Sequence, residues 1–139
     1  MPASVKWLLL LLGLGVLAAG AAVGVQAWQL RSERRILAAE HTGGDVEAGR
    51  AAIERYGCGG CHRISGVPGA SGRVGPPLAG LARRFYVAGR LSNRPAELIL
   101  WISHPREADP RTAMPDLGVD QRDARDIAAY LLALGPPVP

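Results

Sequence analysis

The stretch Cys58-Gly59-Gly60-Cys61-His62 holds the only two cysteines of the chain, with a histidine directly after the second. Two thiols at this spacing can add to the two vinyl groups of one porphyrin, and the histidine that follows is then held beneath the iron as an axial ligand. Cys-x-x-Cys-His therefore reads as covalent attachment of a c-type haem. Three other chemistries also use neighbouring cysteines. A thioredoxin-like dithiol needs a strand before it in a βαβ unit, whereas residues 45–57 read as helix. A closed zinc site needs four ligands, and with no second Cys-x-x-Cys only His41 and His104 could help. A disulfide between cysteines three apart would constrain almost nothing. The expectation is one covalent haem c, with Cys58 and Cys61 as thioethers and His62 on the iron.

A low-spin electron carrier needs a sixth iron ligand, whereas an enzyme or sensor leaves that position open for a peroxide or a gas. Apart from Met1 the chain has one methionine, Met114. It lies in Pro110-Arg111-Thr112-Ala113-Met114-Pro115, where the flanking prolines favour an extended loop over a helix. A lone methionine usually fills core space, but a loop between two helical patterns suits a ligand. Ligation by Met114 would raise the reduction potential and close the iron to outside ligands. His104 is the rival for that position; His41 reads as solvated.

Three helices must frame these loops. The first runs from Asp45, an N-cap, to about Tyr56 and sets Val46, Gly49 and Ile53 on one face. The second begins at Pro95, presents Leu98, Ile99, Trp101 and Ile102, and stops before Pro105. The third is announced by Asp120, with Asp123 near its positive end. It places Ile127, Tyr130, Leu131 and Leu134 on a buried stripe before Gly135-Pro136-Pro137. The glycine-rich loops between the first two helices show no strand-length alternation, so the expected fold class is all-α.

On these residues, the stretch 43–136 resembles the class I cytochromes c, which implies their fold wrapped around covalent haem. Gly44-Asp45-Val46-Glu47-Ala48-Gly49 resembles the start of the family's N-terminal helix, whose glycine allows a close crossing with an aromatic of the C-terminal helix, here Gly49 with Tyr130. Gly75-Pro76-Pro77-Leu78-Ala79-Gly80-Leu81 resembles the loop in which a proline carbonyl accepts a hydrogen bond from the ligand histidine, a role the resemblance gives to Pro76 toward His62. The run from Pro110 to Met114 resembles the methionine-ligand loop. By the same resemblance Thr112 approaches a haem propionate, and Trp101 takes the place of an aromatic packed beside the methionine. The loop from His62 to Pro76 is slightly longer than in mitochondrial members, and their lysine ring is absent.

Leu91-Ser92-Asn93-Arg94-Pro95 and Trp101-Ile102-Ser103-His104-Pro105 look more like bacterial cytochromes, including the haem domains fused to or associated with haem-copper oxidases. The resemblance implies a non-enzymatic carrier of single electrons in a respiratory chain, working to or as a subunit of a terminal cytochrome c oxidase. Redox partners would be that oxidase or a quinol:cytochrome c oxidoreductase.

The elements so far account for the C-terminal part of the chain. Of the first 30 residues 21 are hydrophobic, and residues 7–25 carry no charged or polar side chain. At about 1.5 Å per residue that run spans roughly 28 Å, the thickness of a bilayer core. A cleaved signal peptide is the competing reading, with Ala19-Gly20-Ala21 or Val25-Gln26-Ala27 as cleavage sites, but the run exceeds an ordinary signal core. The expected organisation is an uncleaved transmembrane anchor over 1–30, a short helical linker over 31–43 and a cytochrome domain over 44–139. A linker helical to about Glu40 would hold that domain close to the membrane. Arg31, Arg34 and Arg35 after the apolar run would by charge alone face the cytoplasm. Haem attachment argues for the other side, so we place the chain in the inner membrane with its haem domain on the periplasmic face and those arginines at the outer headgroups beside Trp28. This location also argues against nucleic acid as a partner.

The net charge of +4 is uneven, with eight arginines against Glu54 alone between Arg50 and Arg94. Such a field could steer docking onto an acidic redox partner. From residue 31 on there are only five aromatic side chains, a thin supply of apolar bulk for a small domain. The porphyrin would be its largest core group. A Cys58→Ala/Cys61→Ala chain without haem should accordingly lose its cooperative thermal transition by circular dichroism; a sharp transition in that variant would show a self-sufficient core.

Overall fold

A computed structural model describes residues 2–135, mostly as helix. The chain divides into two units, residues up to Glu33 and residues from Arg34 onward.

The first unit is the apolar part of helix α1 (Ala3–Thr42). Its most hydrophobic window has a mean hydropathy of 2.5, with none of it buried. Leucines that would cost free energy in water stay fully outward along it. By length and composition the helix is a candidate membrane span.

In the second unit the last turns of α1 bury Ala38 and Thr42. Thr42 Oγ1 donates to the Ala38 carbonyl at 2.7 Å, and Gly43, at φ +66°, ends the helix in the left-handed conformation that glycine adopts without steric cost. Asp45 then caps α2 (Val46–Arg55), its carboxylate accepting the Ala48 amide at 2.7 Å. Both expected N-caps are present, since Asp120 likewise accepts the Asp123 amide at 2.8 Å at the start of α5 (Gln121–Ala133). Between them lie α3 (Pro95–Ser103), with proline in the first turn, and the one-turn α4 (Pro105–Ala108). The expected stop at Gly135-Pro136-Pro137 lies partly outside the described residues.

Helices α2 and α5 cross at backbone contact. A Cβ at Gly49 would sit 1.9 Å from the Asp126 carbonyl oxygen and 3.0 Å from the Tyr130 Cβ, and one at Gly44 would sit 2.3 Å from the Arg125 oxygen. Ala52, Ala124, Ala128 and Ala129 are fully buried around the crossing. Small side chains let the two helices form one wall. The buried Asp126 carboxylate accepts the Asp45 amide at 2.7 Å, so α5 also fixes the N-cap of α2. Tyr130 donates from its hydroxyl to the Ser65 carbonyl at 2.7 Å, tying α5 to the loop after the cysteine motif.

One element departs from a wholly helical expectation. Tyr86–Val87 (β1) and Leu91–Ser92 (β2) pair antiparallel, Tyr86 with Ser92 and Val87 with Leu91. Ala88 and Gly89 at the bend have φ of 52° and 70°, the left-handed pair that a tight hairpin requires. Two-residue strands are too short for alternation to register in the sequence.

Two expectations follow from this packing. Gly49→Ala must push α5 away from α2, and we expect a loss of about 3 kcal/mol or more in chemical denaturation of the holoprotein; a loss below ~1 kcal/mol would mean that the crossing yields easily. Asp123 accepts from Arg55 at 2.6 Å and from the Tyr56 hydroxyl at 2.8 Å. These bonds, Arg55 first, hold its carboxyl below the usual range. Stability from a depressed carboxyl is present above the unfolded value, ~3.9, and is lost as pH falls through the folded one. Asp123→Asn should therefore be less stable than the parent at neutral pH, with the gap closing in acid. A gap that persists undiminished in strong acid would contradict this.

Candidate haem site

The cysteine motif is wound into a single tight turn. Gly57, at φ +70°, breaks α2 after Tyr56. From there the Gly60, Cys61 and His62 amides bond back to Gly57 at 3.0 Å, Cys58 at 3.2 Å and Cys58 at 3.0 Å. Residues three and four apart on such a turn share a face, so Cys58, Cys61 and His62 lie side by side. Burial pushes the Cys58 thiol up from its ordinary pKa, which keeps it neutral among apolar neighbours.

The loop that follows folds back over this turn. The Gly72 amide donates to the Gly59 carbonyl at 3.0 Å, Gly75 to Cys61 at 2.9 Å and Leu78 to Arg63 at 3.0 Å. The fit leaves no room for side chains: a Cβ at Gly72 would lie 2.4 Å from the Cys61 carbonyl carbon, and one at Gly75 would lie 2.2 Å from His62 Cε1. His62 Nδ1 is 2.8 Å from the Pro76 carbonyl oxygen. With Nδ1 as the donor, Nε2 carries the lone pair that a metal needs.

Beyond the turn is a cavity of about 350 Å³, within the size range of cofactor sites. Its walls come from α2 and its C-cap (Ile53, Tyr56), α3 (Leu98, Trp101, Ile102), α5 (Ile127, Leu131), β1 (Val87) and the segments between (Ile64, Leu78, Leu81). Cys58, Cys61, His62, Pro76, Trp101, Thr112 and Met114, the residues singled out by motif and resemblance, all line it. His104 does not: it is exposed, with Nδ1 2.9 Å from Ser103 Oγ. His41 is also exposed, away from this cavity.

Met114 is held by its own loop. Thr112 Oγ1 accepts the Met114 amide at 3.1 Å, and the Thr112 amide donates to the Asp109 carbonyl at 3.0 Å. The hydroxyl hydrogen of Thr112 remains available to an acceptor such as a carboxylate. Three features of the lining were not singled out in the sequence. Among the described residues, Arg84 is the one arginine on the wall, with its guanidinium donating to the Pro77 carbonyl. Tyr56 joins the wall to the Asp123 network, and Gly75 packs on the ring of His62. The Gly-Pro-Pro run signals Gly75, whereas nothing in the sequence separates Arg84 from its neighbouring arginines.

The donor set suits a large flat apolar group with iron at its centre and charged carboxylates at its edge. Two thiols, one tethered imidazole, one thioether, one guanidinium and an otherwise apolar wall meet each of its needs. A bare metal ion is served poorly, because among the described residues no three His, Cys, Asp or Glu side chains cluster to hold one. The cysteines follow a helix, not a strand, which removes the context of a thioredoxin-like dithiol.

Comparison with known proteins agrees with this geometry. The profile of the family described as cytochrome c matches residues 46–135. The chain is 31% identical over 87 residues to cytochrome c oxidase subunit 2 of Alkalihalophilus pseudofirmus, a match covering 62% of this chain and 25% of that protein. It thus spans about a quarter of the length of that relative. No solved structure matches. With the profile covering all of α2 through α5 and the cavity between them, the chain belongs to the cytochrome c family, which implies covalently bound haem c and a role in electron transfer.

Proposed function

We propose that this protein is a membrane-anchored cytochrome with a single haem, which carries single electrons in a respiratory chain to a terminal cytochrome c oxidase, or works as a subunit of one. The observation that carries the reading is the convergence of Cys58, Cys61, His62 and Met114 on one apolar cavity. In this reading residues 1–30 anchor the chain in the inner membrane, 31–43 link it, and 44–139 form the haem domain on the periplasmic face. The partial match to an oxidase subunit supports the direction of electron flow, as that protein's name places it in an oxidase. A quinol:cytochrome c oxidoreductase is the donor that suits such a carrier.

Bound haem would supply the one-electron iron couple. Cys58 and Cys61 would hold it through thioethers, and His62 and Met114 would ligate its iron. Pro76 orients His62 by accepting from Nδ1, which also makes the imidazole a stronger donor. Thr112 sets the backbone of Met114, and its hydroxyl and the Arg84 guanidinium would serve the propionates. Trp101 shares the cavity wall with Met114. Ile53, Leu98, Ile127 and Leu131 keep water out, which limits reorganisation when the charge changes. The apolar residues Val74 and Leu117 belong to the lining yet remain exposed, giving a partner a dry place to approach.

The competing reading, a haem enzyme or sensor with an open sixth position, is separated from this one by Met114→Ala. We expect the parent ferric protein to show the weak red absorption band of sulfur-to-iron ligation and the reduced protein to refuse carbon monoxide. The variant should lose the band, bind carbon monoxide and fall in potential by on the order of 100 mV or more. An unchanged spectrum would remove Met114 from the iron; carbon monoxide binding by the parent would favour the sensor.

A further inference from the structure

Residues 83–94 combine features for which the haem cavity has no use. Phe85 is 87% and Tyr86 62% exposed, at the start of the β1–β2 hairpin, while Val87 turns inward. The same 12 residues hold Arg83, Arg84, Arg90 and Arg94 and no acid. Arg84 is committed to the cavity wall, and Arg90 lies 3.4 Å from Asp109. Arg83 and Arg94 are exposed and have no ion-pair partner among the described residues. The segment is braced: the Asn93 side-chain amide donates to the Leu81 carbonyl at 2.8 Å and to that of Arg84 at 2.9 Å, and its backbone amide to Phe85 at 2.9 Å. The two rings are therefore presented to solvent by a fixed scaffold.

Single exposed aromatics are ordinary on soluble domains. Two adjacent rings flanked by unpaired guanidiniums have the composition of a surface that meets anionic headgroups, the rings entering the interface and the guanidiniums pairing with phosphates. Proximity selects a bilayer over a soluble partner. Arg34, where the second unit begins, lies nine residues after Val25, the end of the apolar run, and so stays within about 30 Å of it by any path. Ala82 and Pro95, at the two roots of the hairpin segment, line one groove with Arg34, Leu37 and His41. With the apolar run in a bilayer, this short tether keeps the effective concentration of headgroups around the second unit high, so intramolecular contact needs little intrinsic affinity.

We propose that Phe85 and Tyr86, with Arg83 and Arg94, form a second membrane contact that binds anionic phospholipid and fixes which side of the haem domain faces the bilayer. The contact rests on the anchor reading above. The test is hydrogen exchange by mass spectrometry on the full haem-loaded chain in nanodiscs, either of phosphatidylcholine alone or of equal parts phosphatidylcholine and phosphatidylglycerol. Each arginine near an anionic surface is worth about fivefold in partitioning, so exchange over 83–94 should slow by about that factor or more in the anionic discs, while α5 is unaffected. Raised salt, and separately Arg83→Glu/Arg94→Glu, should abolish the slowing. Equal exchange in the two lipids, with the chain co-eluting with the discs, overturns the contact alone. Failure to co-elute overturns the anchor reading and the contact with it. Protection that follows protein density in both lipids would mean that the hairpin meets another protein, and equally overturns the proposal.

Discussion

Five residues wound into one turn set the terms for the rest of the second unit. Placing Cys58, Cys61 and His62 on a common face requires the chain to leave α2 abruptly, which Gly57 allows through its positive φ. The following loop must then return over the turn at backbone distance, which Gly72 and Gly75 allow by having no side chain. The same return carries the Pro76 carbonyl to His62. Gly72 and Gly75 each serve a close approach, whereas Gly57 serves the turn by its backbone angle. A side chain at either returning position would have to displace backbone or the imidazole itself.

The wall behind the turn depends on a second close approach, that of α2 to α5. Three acids near the start of α5 act there in different ways: Asp120 caps the helix, Asp126 holds the Asp45 amide, and Asp123 takes Arg55 and Tyr56. Exposed ion pairs are worth little alone. Asp123 matters more for position, since it ties Tyr56, part of the cavity wall, to the opposite helix. Neither helix could stand alone at this length, so their joint stability comes from the crossing and from whatever fills the cavity between α2, α3 and α5.

Much of this was legible in the sequence because it is local. Caps at Asp45 and Asp120, proline at the head of α3, and the spacing of cysteine, histidine and methionine act within a few residues, and each marks its element directly. The seven residues chosen for the site come together on one cavity. The gaps are equally physical. The hairpin at 86–92 is held by two pairs of residues and by Asn93, whose partners Leu81 and Arg84 lie 12 and 9 positions away. Arg84 differs from its neighbouring arginines only in where the loop leaves it. The continuation of α1 to Thr42 agrees with the helix-compatible residues that follow the apolar run.

In the proposed reading, haem bonded to Cys58 and Cys61 completes the core of the second unit. Haem staining of a denaturing gel, run on membranes from cells that express the full chain and mature c-type haem, tests it most directly. Peroxidase stain is expected on the band of this chain, in the membrane fraction, with neither cysteine open to thiol reagents after unfolding. A denatured band without haem and with both thiols titratable would contradict it.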